Sequence, residues 1–479
     1  MQRHNSAPAD CSDLIIYNTR TRAKEPFTSI VPGKIGMYVC GVTVYDSAHI
    51  GHAMSSIVFD TIRRYLLHLG YDVRYAQNFT DVDDKIIQRA GAEGITPGEL
   101  TERLIAEWDE EISAFNVLPA TVAPRATNEI PEIISMIEGL IVREHAYKTH
   151  GDVYFRVRSF PDYGKLAGRD IDELTSGARI AVSDIKDDPL DFVLWKSSKP
   201  GEPSWPSPWG PGRPGWHIEC SAMCTHHLDG IVDIHGGGRD LIFPHHENEV
   251  AQSEAFSGSS PFARFWLHNG MLQLNGDKMS KSLGNVVWLK SLIERGLEQA
   301  FRLQVLQTHY RSPLNYTEAG LEAAATGLDR LIAAGRPEAA VNPGNLLVNG
   351  ENLILLAEDT ERRFHEAMHD DFDTPSAIAA LFELGRSINR LRSQSGGTEH
   401  FRTAQQSLSD LAEQLGLDLT EQPSMDTGAA EPFIDLLIDI RNHLRQSKQW
   451  EAADRVRIGL QERGITLEDN PSGTIWKKR

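Results

Sequence analysis

Between residues 34 and 79 the chain reads strand, helix, strand. Lys34 to Cys40 (KIGMYVC) is a short apolar run of the kind a buried strand needs. From Ala53 to Leu69 the apolar residues Ile57, Phe59, Ile62, Tyr65, Leu66 and Leu69 recur at helical spacing, and Gly70 stands where a helix would stop. Asp72 to Phe79 (DVRYAQNF) then reads as a second strand. Two strands joined through a crossover helix lie parallel, so this segment demands a parallel sheet covered by helices.

The remaining pattern extends this to an α/β protein. Thr96-Pro97 has the form of a helix start, running to about Phe115, and a second helix is expected from Ile130 to Glu144. Asp152 to Val157 is strand-like, and the Pro- and Gly-rich 198–215 reads as an ordered loop. Gly230 to Gly238 is expected as a strand ending in a glycine turn, and Pro244 to Phe256 as a helix. Asn275-Gly276 signals a hairpin. From about Trp288 the pattern is almost entirely helical, with linkers expected at 335–349, 396–397 and 422–432. The expected domains are a disordered lead-in at 1–12, an α/β catalytic domain at 13–320, a helical domain at 321–421 and a small helical segment at 422–479.

Composition excludes some functions. With 479 residues, several domains are expected, and no apolar run approaches the ~20 residues that span a bilayer. The first residues lack the apolar core of a secretory signal. A net charge of −19 argues against nonspecific coating of nucleic acid, although a local basic face would still bind it. The four cysteines, Cys11, Cys40, Cys220 and Cys224, read as metal ligands or free thiols, so a cytoplasmic location is expected.

Three groups of residues carry chemistry. His49-Ile50-Gly51-His52 opens the first helix, where free N–H groups and the helix dipole suit phosphate; alone, the two histidines also fit an ordinary surface loop. Lys278-Met279-Ser280-Lys281-Ser282 follows the Asn-Gly turn, and its lysines suit a polyphosphate or, equally, a solvated basic loop. Cys40, Cys220, His245 and Glu249 make a plausible zinc set from three distant segments, with His245 and Glu249 spaced for one helix face. A buried strand cysteine that simply packs is the plain alternative.

The order and context of the two phosphate motifs resemble the signature pair of class I aminoacyl-tRNA synthetases. The stretches MYVCGVTVYDSAHIGHA, NFTDVDDKI, GWHIECSAM, DIHGGGRDLIFPHHENEVAQSE and HNGMLQLNGDKMSKSLGN resemble the cysteinyl-tRNA synthetase family across residues 37–286. The resemblance implies a Rossmann-like catalytic domain followed by a helical anticodon-binding bundle and a small C-terminal segment. It implies that L-cysteine is activated by ATP with Mg2+ and transferred to tRNA(Cys). It assigns ATP to His49, Gly51, His52, Lys278, Ser280 and Lys281, with His49, His52, Lys278 and Lys281 catalytic. One Zn2+ per chain falls to Cys40, Cys220, His245 and Glu249, and the cysteine pocket to Gly41, Thr80, Trp216 and His235. Plainer roles, a helix cap for Thr80 and core packing for Trp216, stand beside these.

His217 and His246 are expected to orient the metal ligands, and Cys224 to be a small buried thiol. The motif Asp370-Asp371-Phe372-Asp373-Thr374-Pro375 resembles the family's anticodon bundle. Arg455, Arg457, Trp476, Lys477 and Lys478 combine cations with an aromatic, as stacking on unpaired bases needs; a solvated helical face is the alternative. A monomer with no membrane association is expected. The rival readings are a cysteine:amino-sugar ligase of thiol biosynthesis, a non-enzymatic RNA-binding module and, more distantly, a zinc hydrolase.

Overall fold

A computed structural model describes residues 13–171, 186–278, 286–337, 350–395, 399–420, 431–470 and 473–478. The expected lead-in 1–12 and most of the expected linkers lie outside them. The chain divides into two compact units, 1–419 and 420–479.

After a hairpin of β1 (Ile15–Asn18) and β2 (Ala23–Pro26) comes the demanded unit: β3 (Lys34–Thr43), α1 (Ile50–His68) and β4 (Asp72–Thr80). β3 and β4 are parallel neighbours, from Lys34 opposite Asp72 to Thr43 opposite Thr80. α1 buries Ile57, Phe59, Ile62, Tyr65 and Leu66, the stripe read from the sequence. Gly70, at φ 89°, makes the left-handed turn that returns the chain to the sheet.

Next come α2 (Asp84–Glu93), α3 (Pro97–Ala114) and α4 (Ile130–Val142). α3 opens with a reciprocal cap: Glu99 N donates to Thr96 Oγ1 (3.2 Å) and Thr96 N to Glu99 Oε2 (2.8 Å). A separate antiparallel sheet follows, of β5 (Ala146–Thr149), β6 (Asp152–Phe155), β7 (Phe192–Ser197) and β8 (Gly212–Pro214), in that order. The stretch 198–215 is therefore not all loop; β8 is an edge strand, the position in a sheet that tolerates Pro214.

The chain returns to the central sheet through α5 (Trp216–His227), β9 (Val232–Gly238), α6 (Glu247–Ser257) and β10 (Ala263–Asn269). The sheet is wholly parallel, in the order β10-β9-β3-β4. The chain leaves β3 toward β4 on one side and later fills β9 on the other. That switch opens a crevice at the carboxyl ends of the strands, where α/β sheets bind ligands.

Two expectations are corrected here. Gly236, Gly237 and Gly238 continue β9, opposite Leu267, His268 and Asn269, instead of turning. A Cβ on Gly236 would stand 2.4 Å from the Phe59 ring, so bare backbone is what lets α1 lie against the strand. The helix expected from Pro244 begins at Glu247, because Phe243 is extended (φ −139°, ψ 131°) and Ile242–His246 forms a wider turn.

β11 (Leu272–Leu274) and β12 (Asp277–Lys278) form the expected hairpin, with Asn275 (φ 50°) and Gly276 (φ 90°) both left-handed. After α7 (Leu289–Ile293) and α8 (Glu298–Leu306), β13 (Leu314–Tyr316) joins β11 in parallel. Then α9 (Glu318–Gly335), α10 (Gly350–His369), α11 (Thr374–Ser395) and α12 (Glu399–Gln414) pack around Leu331, Phe364, Leu381, Leu384, Phe401 and Leu408. The acidic motif at 370–375 is the joint between α10 and α11. Buried Asp371 accepts from Tyr17 N (2.9 Å), Tyr310 Oη (2.8 Å) and Arg311 Nε (2.7 Å), tying the bundle to β1 and to the segment after α8.

The unit 420–479 holds α13 (Glu431–Gln446) and α14 (Trp450–Gln461). Its last part is a hairpin of β14 (Ile465–Asn470) and β15 (Gly473–Lys478), where helix was expected. Gly464 (φ 77°) breaks the helix, and Arg441 forks onto Asp469 (2.7 Å to each oxygen), holding the hairpin against α13. Trp476 Nε1 donates to Asp435 in the same unit (3.3 Å), while Arg455 and Arg457 are exposed.

Candidate active site

Four elements deliver Cys40, Cys220, His245 and Glu249 to one point. Cys40 stands toward the carboxyl end of β3, Cys220 one turn into α5, His245 in the turn before α6 and Glu249 in the first turn of α6. One ligand atom from each lies within 4.8 Å of the others. Glu249 Oε1 is 3.3 Å from Cys40 Sγ and 3.0 Å from His245 Nε2, and the two sulfurs are 3.8 Å apart. His245 and Glu249 meet as their i, i+4 spacing required, although His245 precedes the regular helix.

A buried shell fixes these groups. His235 Nε2 bonds Glu249 Oε2 (2.9 Å), so one carboxylate oxygen faces the cluster and the other is held from behind. His246 Nε2 lies 3.3 Å from Cys40 Sγ, and its Nδ1 is 2.7 Å from His268 Nε2. His217 Nδ1 lies 2.9 Å from His245 Nδ1, and Gln252 Nε2 donates to His217 O (2.9 Å) and Ser221 Oγ (2.8 Å). His217 and His246, expected to orient the ligands, thus touch His245 and Cys40, and Cys224 is fully buried.

The electrostatics mark the point as negative. Burial opposes charge on His245, yet Glu249 and Cys220 outweigh it and raise its pKa to about 10. The hydrogen bond from the Cys40 thiol lowers Cys220 to about 6 against the cost of burial, while burial pushes Cys40 up. A point where the Glu249 carboxylate and the Cys220 sulfur together favour a charged His245 suits a cation. Two sulfurs, an imidazole and a carboxylate are a zinc-type donor set, so these residues fit that ion.

Of the expected pocket residues, Gly41, Trp216 and His235 adjoin members of the cluster, and Thr80 reaches Glu219. Gly41 follows Cys40 and its N donates to Asn78 Oδ1 (2.9 Å); a Cβ there would lie 1.6 Å from Asn78 O. Trp216 is 39% exposed and stacks on His245 at 4.2 Å between ring centroids. Thr80, at the carboxyl end of β4, donates Oγ1–H to Glu219 Oε2 (3.0 Å). His235 is fully buried and bonds Glu249, so it stands behind a cluster member.

The residues expected to bind ATP begin on α1. His49 is the N-cap of α1, with Gly51 and His52 in its first turn; the two imidazoles stack at 3.7 Å. Ile50 N donates to Val287 O (3.0 Å) and Leu289 N to Ala48 O (3.1 Å). Residues 287–289, which follow the lysine motif in the chain, therefore pair directly with residues 48–50. Lys278 ends β12, whereas Ser280 and Lys281 lie outside the described residues.

The family model for the class I (C) tRNA synthetase catalytic domain matches residues 26–326, and that for the DALR domain matches 363–420. A cysteine–tRNA ligase of Dehalococcoides mccartyi is 49% identical over 462 residues, covering 96% of this chain and 99% of the relative. The chain belongs to the cysteine–tRNA ligase family. It is thus an aminoacyl-tRNA ligase. The Alkalilimnicola ehrlichii family member is also 49% identical, over 97% of this chain and all of its own. Mycobacterium tuberculosis methionyl-tRNA synthetase in complex with methionyl-adenylate shares the fold, with TM-score 0.59 and 15% identity over 80% of this chain and 90% of its own. The Agrobacterium radiobacter leucyl enzyme, solved as a ternary complex with tRNA, does so at TM-score 0.60 and 11% identity over 82% and 86%. Among the described residues no helix is long and apolar enough to cross a membrane.

Sequence reasoning missed several residues of this cysteine–tRNA ligase family site. Glu219, buried beside Cys220, holds Thr80, and His268 continues the line from Cys40 through His246 toward Thr19 (His268 Nδ1 to Oγ1, 2.8 Å). Glu219 sits inside the motif GWHIECSAM, so its place next to a metal-type cysteine was the available signal. His268 opens the stretch HNGMLQLNGDKMSKSLGN, a signal of the same kind, but its link to Cys40 through His246 depends on a neighbouring strand and was not legible.

Proposed function

We propose that the chain activates L-cysteine with ATP and transfers it to tRNA(Cys), using Zn2+ held by Cys40, Cys220, His245 and Glu249 to select the substrate thiol. The carrying observation is the convergence of those four side chains at the carboxyl ends of a parallel sheet. Bound there, zinc favours a soft thiolate over a hydroxyl and lowers a thiol pKa from about 8.5, which separates cysteine from serine.

The chain's own residues position the rest. The proton of the Thr80 hydroxyl is committed to Glu219, so its lone pairs present an acceptor to the substrate ammonium. The exposed face of Trp216 covers the substrate side chain. Gly41, whose missing Cβ lets β3 lie against Asn78, sets the strand backbone beside the amino acid, and His235 holds Glu249 in place. ATP, with its Mg2+, binds His49, Gly51 and His52 at the positive end of α1. The cysteine carboxylate attacks the α-phosphate and pyrophosphate leaves, giving cysteinyl-adenylate. Lys278, Ser280 and Lys281 stabilise the charge that collects on the departing phosphates. The aminoacyl group then passes to tRNA, with the helical region 321–421 and the segment 422–479 recognising the anticodon side and the protein acting as a monomer.

The amino-sugar ligase is not favoured, because relatives named as tRNA ligases match from end to end. Charging of tRNA(Cys) is the test. The reading expects cysteine-dependent charging; its absence, with product formed on an amino sugar, would overturn it.

A further inference from the structure

At the opposite end of α5 from Trp216 lies a second cluster of ligand-bearing side chains. His226 and His227 close that helix and both reach Glu129 at the start of α4. His226 Nδ1 is 2.6 Å from Glu129 Oε2, and His227 Nε2 is 2.9 Å from Oε1.

Three features separate this from an ordinary surface ion pair. Glu129 is only 7% exposed and occupies the N-cap of α4, yet it makes no capping bond; its carboxylate is turned to the imidazoles instead. Adjacent residues on a helix point about 100° apart, but here the helix ends and the two rings come together at 4.5 Å between centroids. The cluster also lies at the C-terminal end of α5, where helix carbonyls carry partial negative charge, and Glu132 adds its own field to His226.

We infer that Glu129, His226 and His227 form a second metal site, taking a divalent transition ion through two imidazole nitrogens and a carboxylate. The three ligand atoms lie within 4.8 Å of one another. Tetrahedral zinc holds its ligands about 3.3 Å apart. Parting each N···O pair by less than about 1 Å therefore lets an ion replace the two shared protons. The His226 side chain is 48% exposed, so the remaining coordination positions face water. Without a thiolate, the set suits Zn2+, Co2+, Ni2+ or Cu2+, in contrast to the sulfur-rich cluster near Trp216. An ion here ties the start of α4 to the end of α5, the helix that carries Cys220 and Trp216.

Cobalt distinguishes the two centres by colour. Metal-free full-length protein is titrated with Co2+ and its absorption read. The expected result is two equivalents bound, one with intense thiolate-to-cobalt charge transfer in the near ultraviolet and one with only weak visible bands. H226A/H227A and, separately, E129Q lose the weak-band equivalent and keep the charge-transfer one, while C220S does the reverse. Retained cysteine-dependent pyrophosphate exchange in the first two variants shows that they are folded. Saturation of the unmodified protein at one equivalent, or a weak-band equivalent that survives both H226A/H227A and E129Q, would overturn the inference.

Discussion

Glu249 is the hinge of the metal-type cluster: one oxygen meets Cys40 and His245, the other His235. Burial opposes its charge, but His235 and His245 hold it well below the ordinary carboxylate range, so the cluster keeps a negative oxygen ready for a cation. Removing a sulfur should cost metal and substrate together. For C220S, zinc affinity is expected to fall by at least ~10–100-fold, and the KM for cysteine to rise with it, checked by metal analysis and exchange kinetics. Gly41→Ala tests the close approach of β3 to β4. A Cβ 1.6 Å from Asn78 O forces the strands apart, so a loss of about 1–3 kcal/mol is expected in urea unfolding. Lys281→Ala should slow exchange by about 10²–10³-fold while leaving cysteine binding nearly unchanged, because its charge acts on the transition state.

Between elements, α1 is the common partner. Arg302 of α8, fully buried, pairs with Asp60 of α1 and donates to the carbonyls of Leu415 (2.8 Å), Phe115 and Asn116 (3.1 Å each). Arg302→Met would leave buried Asp60 with Arg64 Nε (2.8 Å) and Leu118 N (2.9 Å) but without its Arg302 partner, and a loss of about 1.5–3 kcal/mol is expected in urea unfolding. α1 also meets α10 through histidines: His68 stacks on His365 at 5.0 Å, and Tyr65 Oη lies 3.2 Å from His365 Nδ1. Burial, then His68 and His369, lowers His365 to about 4. The unfolded chain, with a histidine pKa near ~6.5, therefore binds the extra proton first, and stability should fall as pH drops from about 6.5 toward 4. His365→Gln should flatten that slope in melts across this window. At this scale the sequence was most readable where the pattern is local: β3, α1, β4, the Thr96 cap and the Asn-Gly turn follow from spacing and turn chemistry. It was least readable where tertiary contacts decide. Gly236–Gly238 looked like a turn because the pressing Phe59 ring is remote in sequence. β14 and β15 were lost in a helical context because their pairing is settled by each other and by Arg441.

For the whole molecule, the parallel sheet brings distant segments together beside the end of β3. The quartet Cys40, Cys220, His245 and Glu249 was a plausible zinc set by residue type and spacing, which left plain packing open until the resemblance favoured the metal; the structure brings the four to one point. Glu219 stayed hidden because its role depends on Thr80, 139 positions away in the chain. Function as a thiol-selecting ligase requires that this point, and not pocket shape, refuses serine. An apolar pocket alone separates such near-isosteres by only ~10–200-fold. The direct measurement is kcat/KM in ATP–pyrophosphate exchange with cysteine against serine. A ratio of about 10⁴ or more is the predicted result, and a ratio within the ~10–200-fold reach of shape alone would contradict the account.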